Sequence, residues 1–132
     1  MNTRRETLRK NERLSSQKVM TSLFESGNTY YFSFFRVLWS IFPGEASCIP
    51  ARVAFGVSKK GFRHAVTRNL LKRRMREAYR KNKNVLYDYL GSENLQIALA
   101  IIYKDNNVQD YQSIEKAMTG LMEKLTDKIS KG

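Results

Sequence analysis

The stretch from Lys59 to Lys83, KKGFRHAVTRNLLKRRMREAYRKNK, constrains the chain more than any other. Its cations are Lys59, Lys60, Arg63, Arg68, Lys72, Arg73, Arg74, Arg76, Arg80, Lys81 and Lys83, and its only acid is Glu77. Ala65 to Arg80 contains no Gly or Pro and is dominated by Leu, Lys, Arg, Met, Glu and Ala, which are good helix formers. On a wheel advancing about 100° per residue, Arg68, Asn69, Lys72, Arg73, Arg76 and Arg80 share one arc, with Tyr79 among them. Leu71, Met75 and Ala78 share another. The spacing predicts a helix that buries a narrow apolar stripe. Its guanidinium forks would meet phosphate oxygens, and Asn69 would reach a base edge or sugar. A merely solvated helix would pair its cations with acids one turn away, and only Glu77 is available for that. A calmodulin-type or membrane-surface helix would need a broader apolar face.

The whole chain carries the same bias. Lys and Arg number 24 against 12 Asp and Glu, a formal charge of +12, which points to a polyanionic partner. Its 132 residues suffice for one domain, taken as a single RNA-binding domain over 1–132. Aromatic residues are too plentiful for a disordered basic tail. No apolar run is long enough to span a bilayer. The charged N-terminus MNTRRETLRKNERL has no apolar signal core, so a cytoplasmic protein is expected. Cys48 and His64 each stand alone, which excludes an intrachain disulfide and leaves a zinc site or Cys–His dyad without companions. His64 is expected to pack or to contact RNA. Clustered carboxylates suited to two metals are missing, as is a His pair for acid–base cleavage. No residue is therefore assigned a catalytic or metal-binding role.

Read in order, Met1 to Lys10 is a flexible basic arm, and Asn11 to Ser26 a helix with Gly27 just past its end. Tyr30 to Phe42 reads as one strand, with Phe35, Val37, Trp39 and Ile41 on one face and Arg36, Leu38 and Ser40 on the other. Pro43 to Pro50 is turn chemistry, and Ala51 to Ser58 is a second strand. After the basic helix, Asn82 to Asn94 reads as a loop with a short turn around Val85 to Leu90. Leu95 to Tyr103 is a third strand. A last helix opens at Gln109 or Asp110, with Ile114, Met118, Leu121, Met122, Leu125 and Ile129 on its core face. The expected fold is an α+β two-layer sandwich, order α-β-β-(β)-α-β-α, with a mostly antiparallel sheet. One sheet face is bulky. The other carries Arg36, Ala54, Gly56, Ser58, Ala98 and Ala100, small enough for close approach. Two readings of that face can hold together: the first helix lies over it, and a shallow groove beside the helix admits extended RNA. Met20 and Phe24 would be the groove's apolar walls and Arg36 its charge.

The ordered motifs add a resemblance. VSKK at 57–60, AVTRN at 65–69 and LKRRMREAYR at 71–80 resemble the signature of the bacterial ribonuclease P protein component. That signature is a strand ending in SKK, a short link with Gly, then AV-x-RN-R-x-KR-x-x-RE. Arg13–Leu14, Phe24 and Gly27 are similar to the family's opening helix, with Met20 where an aromatic often stands. There are two departures. Leu70 occupies the third position of the Arg-Asn-Arg run, and the link GFRH is one residue longer than the usual form. A family RNA contact at Leu70 is thus missing or replaced by an apolar one.

The resemblance implies a subunit that binds the catalytic RNA and the 5′ leader of precursor tRNA, assisting endonucleolytic maturation with the chemistry on the RNA. Lys59, Lys60, Arg68, Asn69, Lys72, Arg73, Arg76 and Arg80 would contact the RNA. Met20, Phe24 and Arg36 would line a leader cleft between the first helix and the sheet. Mg2+ would bind the RNA subunit, not the protein, and no membrane or protein oligomer is implied. A left-handed strand–helix–strand crossover is also implied, against the usual right-handed rule. The rivals are a non-catalytic ribosomal or RNA-assembly protein, which would not need this motif order, and a nuclease acting alone, which would need a catalytic constellation.

Overall fold

The computed structural model describes residues 14, 17–42 and 50–131. In chain order its elements are α1 (Gln17–Ser26), β1 (Asn28–Phe32), β2 (Phe35–Phe42), β3 (Ala51–Val57), α2 (Ala65–Ser92), β4 (Gln96–Tyr103) and α3 (Tyr111–Lys131). The expected arm over Met1–Lys10, the helix start at Asn11 and most of the turn from Pro43 lie outside the described residues. The sheet order is β1-β2-β4-β3. β1 with β2 and β2 with β4 are antiparallel, whereas β3 and β4 are parallel neighbours joined through α2. This is the expected α+β sandwich with a mostly antiparallel sheet.

The alternation in the strands separates two cores. Phe35, Val37 and Trp39 of β2, Val53 of β3, and Ile97, Leu99, Ile101 and Tyr103 of β4 form one cluster with α2 and α3. On the reverse face Leu38, Ala98 and Ala100 pack with Leu14 and Leu23, flanked by Val19 and Met20. Methyl-sized side chains on β4 let α1 sit close against the sheet. The Leu14 amide also donates to the Val53 carbonyl at 2.8 Å, tying the chain ahead of α1 to edge strand β3.

Three expectations need correction. First, Tyr30 to Phe42 is a hairpin, not one strand. The chain reverses at Ser33–Phe34, with Ser33 in the left-handed region at φ 54°. The run of aromatics gave no Gly or Asn-Gly signal for that turn.

Second, the segment read as a loop from Asn82 is helix through Ser92. Leu86 and Leu90 continue the stripe begun by Leu71 and Met75, and all four are fully buried. The helix stops in a Schellman motif: Asn94 takes φ 54°, its amide donates to the Gly91 carbonyl at 3.2 Å, and Leu95 N–H donates to the Leu90 carbonyl at 2.9 Å. The polar run KNKN at 81–84 masked this continuation. Even Lys83 is only 3% exposed, with its ammonium 5.3 Å from the Tyr87 ring centroid.

Third, Tyr79 lies in the core and not on the cationic face. Its ring meets Phe55 edge-on at 5.5 Å, and its hydroxyl bonds that of Tyr87 at 3.2 Å.

The opening of α3 is as expected. Asp110 Oδ1 accepts from Ser113 N–H at 2.8 Å, and the bonds from Ser113 hold the Asp110 carboxyl below the usual range. β1 is fastened to this helix by Tyr30, whose hydroxyl donates to the Leu121 carbonyl at 2.9 Å.

The continued helix generates a direct stability test. Leu86→Ala should cost about 2–5 kcal/mol because it empties a fully buried site. Val85→Ala, on the exposed side, should stay within about 0.5 kcal/mol. Denaturant unfolding of both variants checks this, and similar small changes in both would contradict a packed helix here.

Candidate nucleic-acid interface

The cations of α2 divide by what they already hold. Asn69, Arg73 and Arg76 are exposed, Lys72 is half-buried, and none of the four has a side-chain hydrogen bond or ion pair among the described residues. Arg80 is bidentate on Glu77, with Nη2 to Oε2 at 2.7 Å and Nε to Oε1 at 2.9 Å, and Lys81 stands 3.9 Å from the same carboxylate. The hydrogen bond from Arg80, aided by the charge of Arg80 and Lys81, holds the Glu77 carboxyl below its ordinary range. Arg74, outside the predicted set, donates to the Gln109 carbonyl at 2.6 Å and ties α2 to the approach to α3.

Arg68 is half-buried, and its Nη1 donates to the carbonyls of Phe62 at 2.9 Å and Arg63 at 3.2 Å. It therefore braces the turn that carries exposed Lys59 and Lys60, in addition to its expected place on the cationic face. Ser58 supports the same turn: its Oγ accepts from Lys60 N–H at 3.2 Å and its carbonyl from Phe62 N–H at 3.3 Å. His64 is exposed at the start of α2 and makes no side-chain cap bond. Leu70 is half-buried.

The second part of the interface is the α1 side of the sheet. Cross-strand register sets Tyr31, Arg36, Ile102 and Gly56 in one row across all the strands. The adjacent row runs Thr29, Leu38, Ala100 and Ala54. α1 covers Leu38, Ala98 and Ala100 completely and leaves Arg36, Ile102 and Gly56 beside it half-buried and Tyr31 exposed. Phe24 is 46% exposed and so is not a core residue. The Arg36 guanidinium carbon lies 5.8 Å from its ring centroid, and Arg36 Nε is shielded without a hydrogen-bond partner. Met20, one turn before Phe24, is half-buried against the small-residue cluster.

Phe24 and Arg36 are thus brought together beside the sheet row, with Met20 one turn earlier on α1 against the neighbouring cluster. The other eight predicted residues lie on α2 and on the turn that follows the Gly56 end of the row. Two residues were missed. Arg52 is exposed on the small-residue face opposite Ala98, and its alternation with Ala54 and Gly56 could have found it. Tyr31 is exposed on that face as well, a placement that depends on the hairpin. Among the described residues no group of three His, Cys, Asp or Glu side chains could hold a metal ion. No helix among them is long and apolar enough to cross a membrane.

A cationic helix beside an aromatic-edged sheet cleft defines an RNA-binding α+β protein. Residues 8–126 match the family model for Ribonuclease P, and the chain belongs to that family, whose relatives are the ribonuclease P protein components. It is 32% identical over 111 residues to the ribonuclease P protein component of Porphyromonas gingivalis, covering 84% of this chain and 80% of that protein. With that of Chlorobium phaeobacteroides it shares 33% identity over 125 residues, 88% of this chain and 86% of the relative. The RNase P protein of Staphylococcus aureus shares the fold with a TM-score of 0.68 at 18% identity, covering 86% of this chain and 94% of that one. For the Thermotoga maritima protein the values are 0.67, 21%, 85% and 96%. The chain is accordingly a subunit of ribonuclease P, the endoribonuclease holoenzyme of tRNA 5′ processing, and it associates with ribonuclease P RNA.

If the outer face of α2 neutralises phosphates, affinity for ribonuclease P RNA should fall with salt at a log–log slope steeper than about −3. Arg76→Ala should make that slope shallower by roughly 0.7–0.9 and leave the melting temperature unchanged. Leu71→Ala should instead cost about 2–5 kcal/mol of stability. Salt titrations and thermal melts on the same proteins check both halves.

Proposed function

We propose that the protein clamps ribonuclease P RNA with Lys59, Lys60 and the α2 face while its sheet cleft holds the 5′ leader of precursor tRNA. One observation supports the cleft above others: Phe24 and Arg36, from different elements, meet 5.8 Å apart beside the uncovered sheet row. An exposed ring offers a stacking face to any base, and a guanidinium beside it offers charge to the adjoining phosphate. The row ends at Gly56, and Lys59 follows within about 10 Å of extended chain. A strand leaving the cleft therefore meets cations at once.

In this reading the protein binds and positions, and the RNA performs the hydrolysis. Mg2+ would reside on the RNA, where it would stabilise the charge developing in phosphodiester cleavage. The protein's cations lower the repulsion between catalytic RNA and precursor, so that less magnesium is needed. Asn69, Lys72, Arg73 and Arg76 face the RNA directly. Arg68 and Arg80 act in part through Phe62, Arg63 and Glu77. The protein works as a single copy in the cytoplasm. A ribosomal or assembly role is not favoured, because the family match spans residues 8–126.

Holoenzyme reconstituted with ribonuclease P RNA tests the assignment. Phe24→Ala and Arg36→Ala should each weaken binding of precursor tRNA by roughly 1–3 kcal/mol and leave mature tRNA binding unchanged. Phe24→Ala should melt near wild type because its ring is exposed. Equal losses on both tRNAs would defeat the cleft assignment. Failure of the protein to stimulate precursor cleavage at low magnesium would defeat the reading as a whole.

A further inference from the structure

The hairpin decides which side of the sheet each tyrosine of β1 serves. A continuous strand would put Tyr31 on the side of Phe35 and Val37, facing the two large helices. Reversal at Ser33–Phe34 inverts that parity. Tyr30 is opposite Val37 and buried in the main core, while Tyr31 is opposite Arg36 on the cleft side. Tyr31 remains 62% exposed. Among the described residues its ring and hydroxyl make no contact of the kind that fixes Tyr30 to Leu121. A large, idle aromatic on edge strand β1 stands next to Arg36, whose guanidinium lies over Phe24 and whose Nε is shielded and unpartnered.

Sheet faces that carry exposed aromatics bind single-stranded RNA by stacking splayed bases, and guanidinium planes join such stacks. We propose that Tyr31 is a base-stacking residue for one unpaired nucleotide of the leader, with Arg36 at the neighbouring phosphate and Phe24 across from it. This rests on the leader-cleft reading and extends it. The bound strand crosses the whole row from Gly56 at β3 to Tyr31 at β1, about 14 Å or three strand spacings. Leader recognition therefore has a length threshold, set by the nucleotide that first reaches β1.

The test is binding of precursor tRNAs with successively longer leaders to reconstituted holoenzyme carrying wild-type protein, Tyr31→Ala, Tyr31→Phe or Phe24→Ala. Tyr31→Ala should match wild type on mature tRNA and on short leaders. Beyond a defined leader length it should lose about 5- to 150-fold in affinity, the range of one stacked base. Tyr31→Phe should retain wild-type affinity, since the ring and not the hydroxyl is used. An abasic nucleotide at the threshold position should cost wild type the same factor and abolish the difference between wild type and Tyr31→Ala. Tyr31→Thr preserves strand propensity and should reproduce the loss, which separates stacking from any loosening of β1.

Loss in Tyr31→Phe as large as in Tyr31→Ala, or equal loss with and without a leader, would overturn stacking. A leader-dependent loss in Phe24→Ala with none in Tyr31→Ala would sink this inference and leave the cleft reading standing. No leader-dependent loss in either variant would remove both.

Discussion

The structure depends on β4 being buried on both faces with side chains of unlike size. Ile97, Leu99, Ile101 and Tyr103 supply the large side for α2 and α3. Ala98 and Ala100 supply the small side under α1. Two helices can pack on a tall apolar face, whereas a short amphipathic helix gains most from a face its backbone can approach. The pattern changes at Ile102, in the row that α1 does not cover. Gly56 opposite it makes this possible: a β-carbon there would lie 2.9 Å from Ile102 Cδ1. The floor of the cleft is therefore shaped by one residue without a side chain and one with a branched side chain lying over it.

The two-sided alternation was legible in the sequence because a period of two is local. Phe35 to Ile41, Val53 to Val57 and Ile97 to Ile101 could be sorted without any knowledge of what covers them. The start of the last helix was legible to within one residue, Gln109 or Asp110, and the structure places the cap at Asp110. The hairpin at Ser33–Phe34 was not, because its left-handed residue is a serine amid aromatics that read as a strand in either direction. The error carries far, since a missed reversal flips the face of every residue before it. Phe24 and Arg36 could be placed on the cleft from their own helix and strand, but Tyr31 could not. The length of α2 was obscured by Lys81 to Asn84, four polar residues whose helical state is maintained by tertiary packing of Leu86 and Leu90 rather than by propensity. Tyr79 fell on the polar arc because a helix packed against both β3 and α3 buries a wider stripe than Leu71, Met75 and Ala78 alone define.

The cationic surface shows a related difference between composition and commitment. A sequence counts charges equally, but a guanidinium that already donates to carbonyls or a carboxylate offers fewer free donors to a phosphate. Arg74 is engaged at Gln109 and Arg80 at Glu77, whereas Lys72, Arg73 and Arg76 have no such partner among the described residues. Exposed pairs of the Arg80–Glu77 kind add little to stability. Their effect here is on orientation, because Glu77 draws Arg80 and Lys81 to the same side of α2 and offsets part of the repulsion between them.

The turn at residues 58–64 joins the Gly56 end of the sheet row to the cationic helix and is held from three sides. From the α2 side, Arg68 grips the Phe62 and Arg63 carbonyls. From the strand side, Ser58 accepts from Lys60 and Phe62. The segment after β4 closes the third side: a β-carbon at Gly61 would sit 3.4 Å from Asn106 Oδ1 and 3.6 Å from the Asp105 carbonyl. A turn held in this way pays little ordering entropy when Lys59 and Lys60 engage a polyanion. It also fixes their distance from Gly56 at the end of the cleft row. The sheet row and the helix are thus joined through covalent chain and hydrogen bonds of 2.9–3.3 Å. Within the link GFRH, Arg68 holds the carbonyls of Phe62 and Arg63, and Leu70 is half-buried on the first turns of α2.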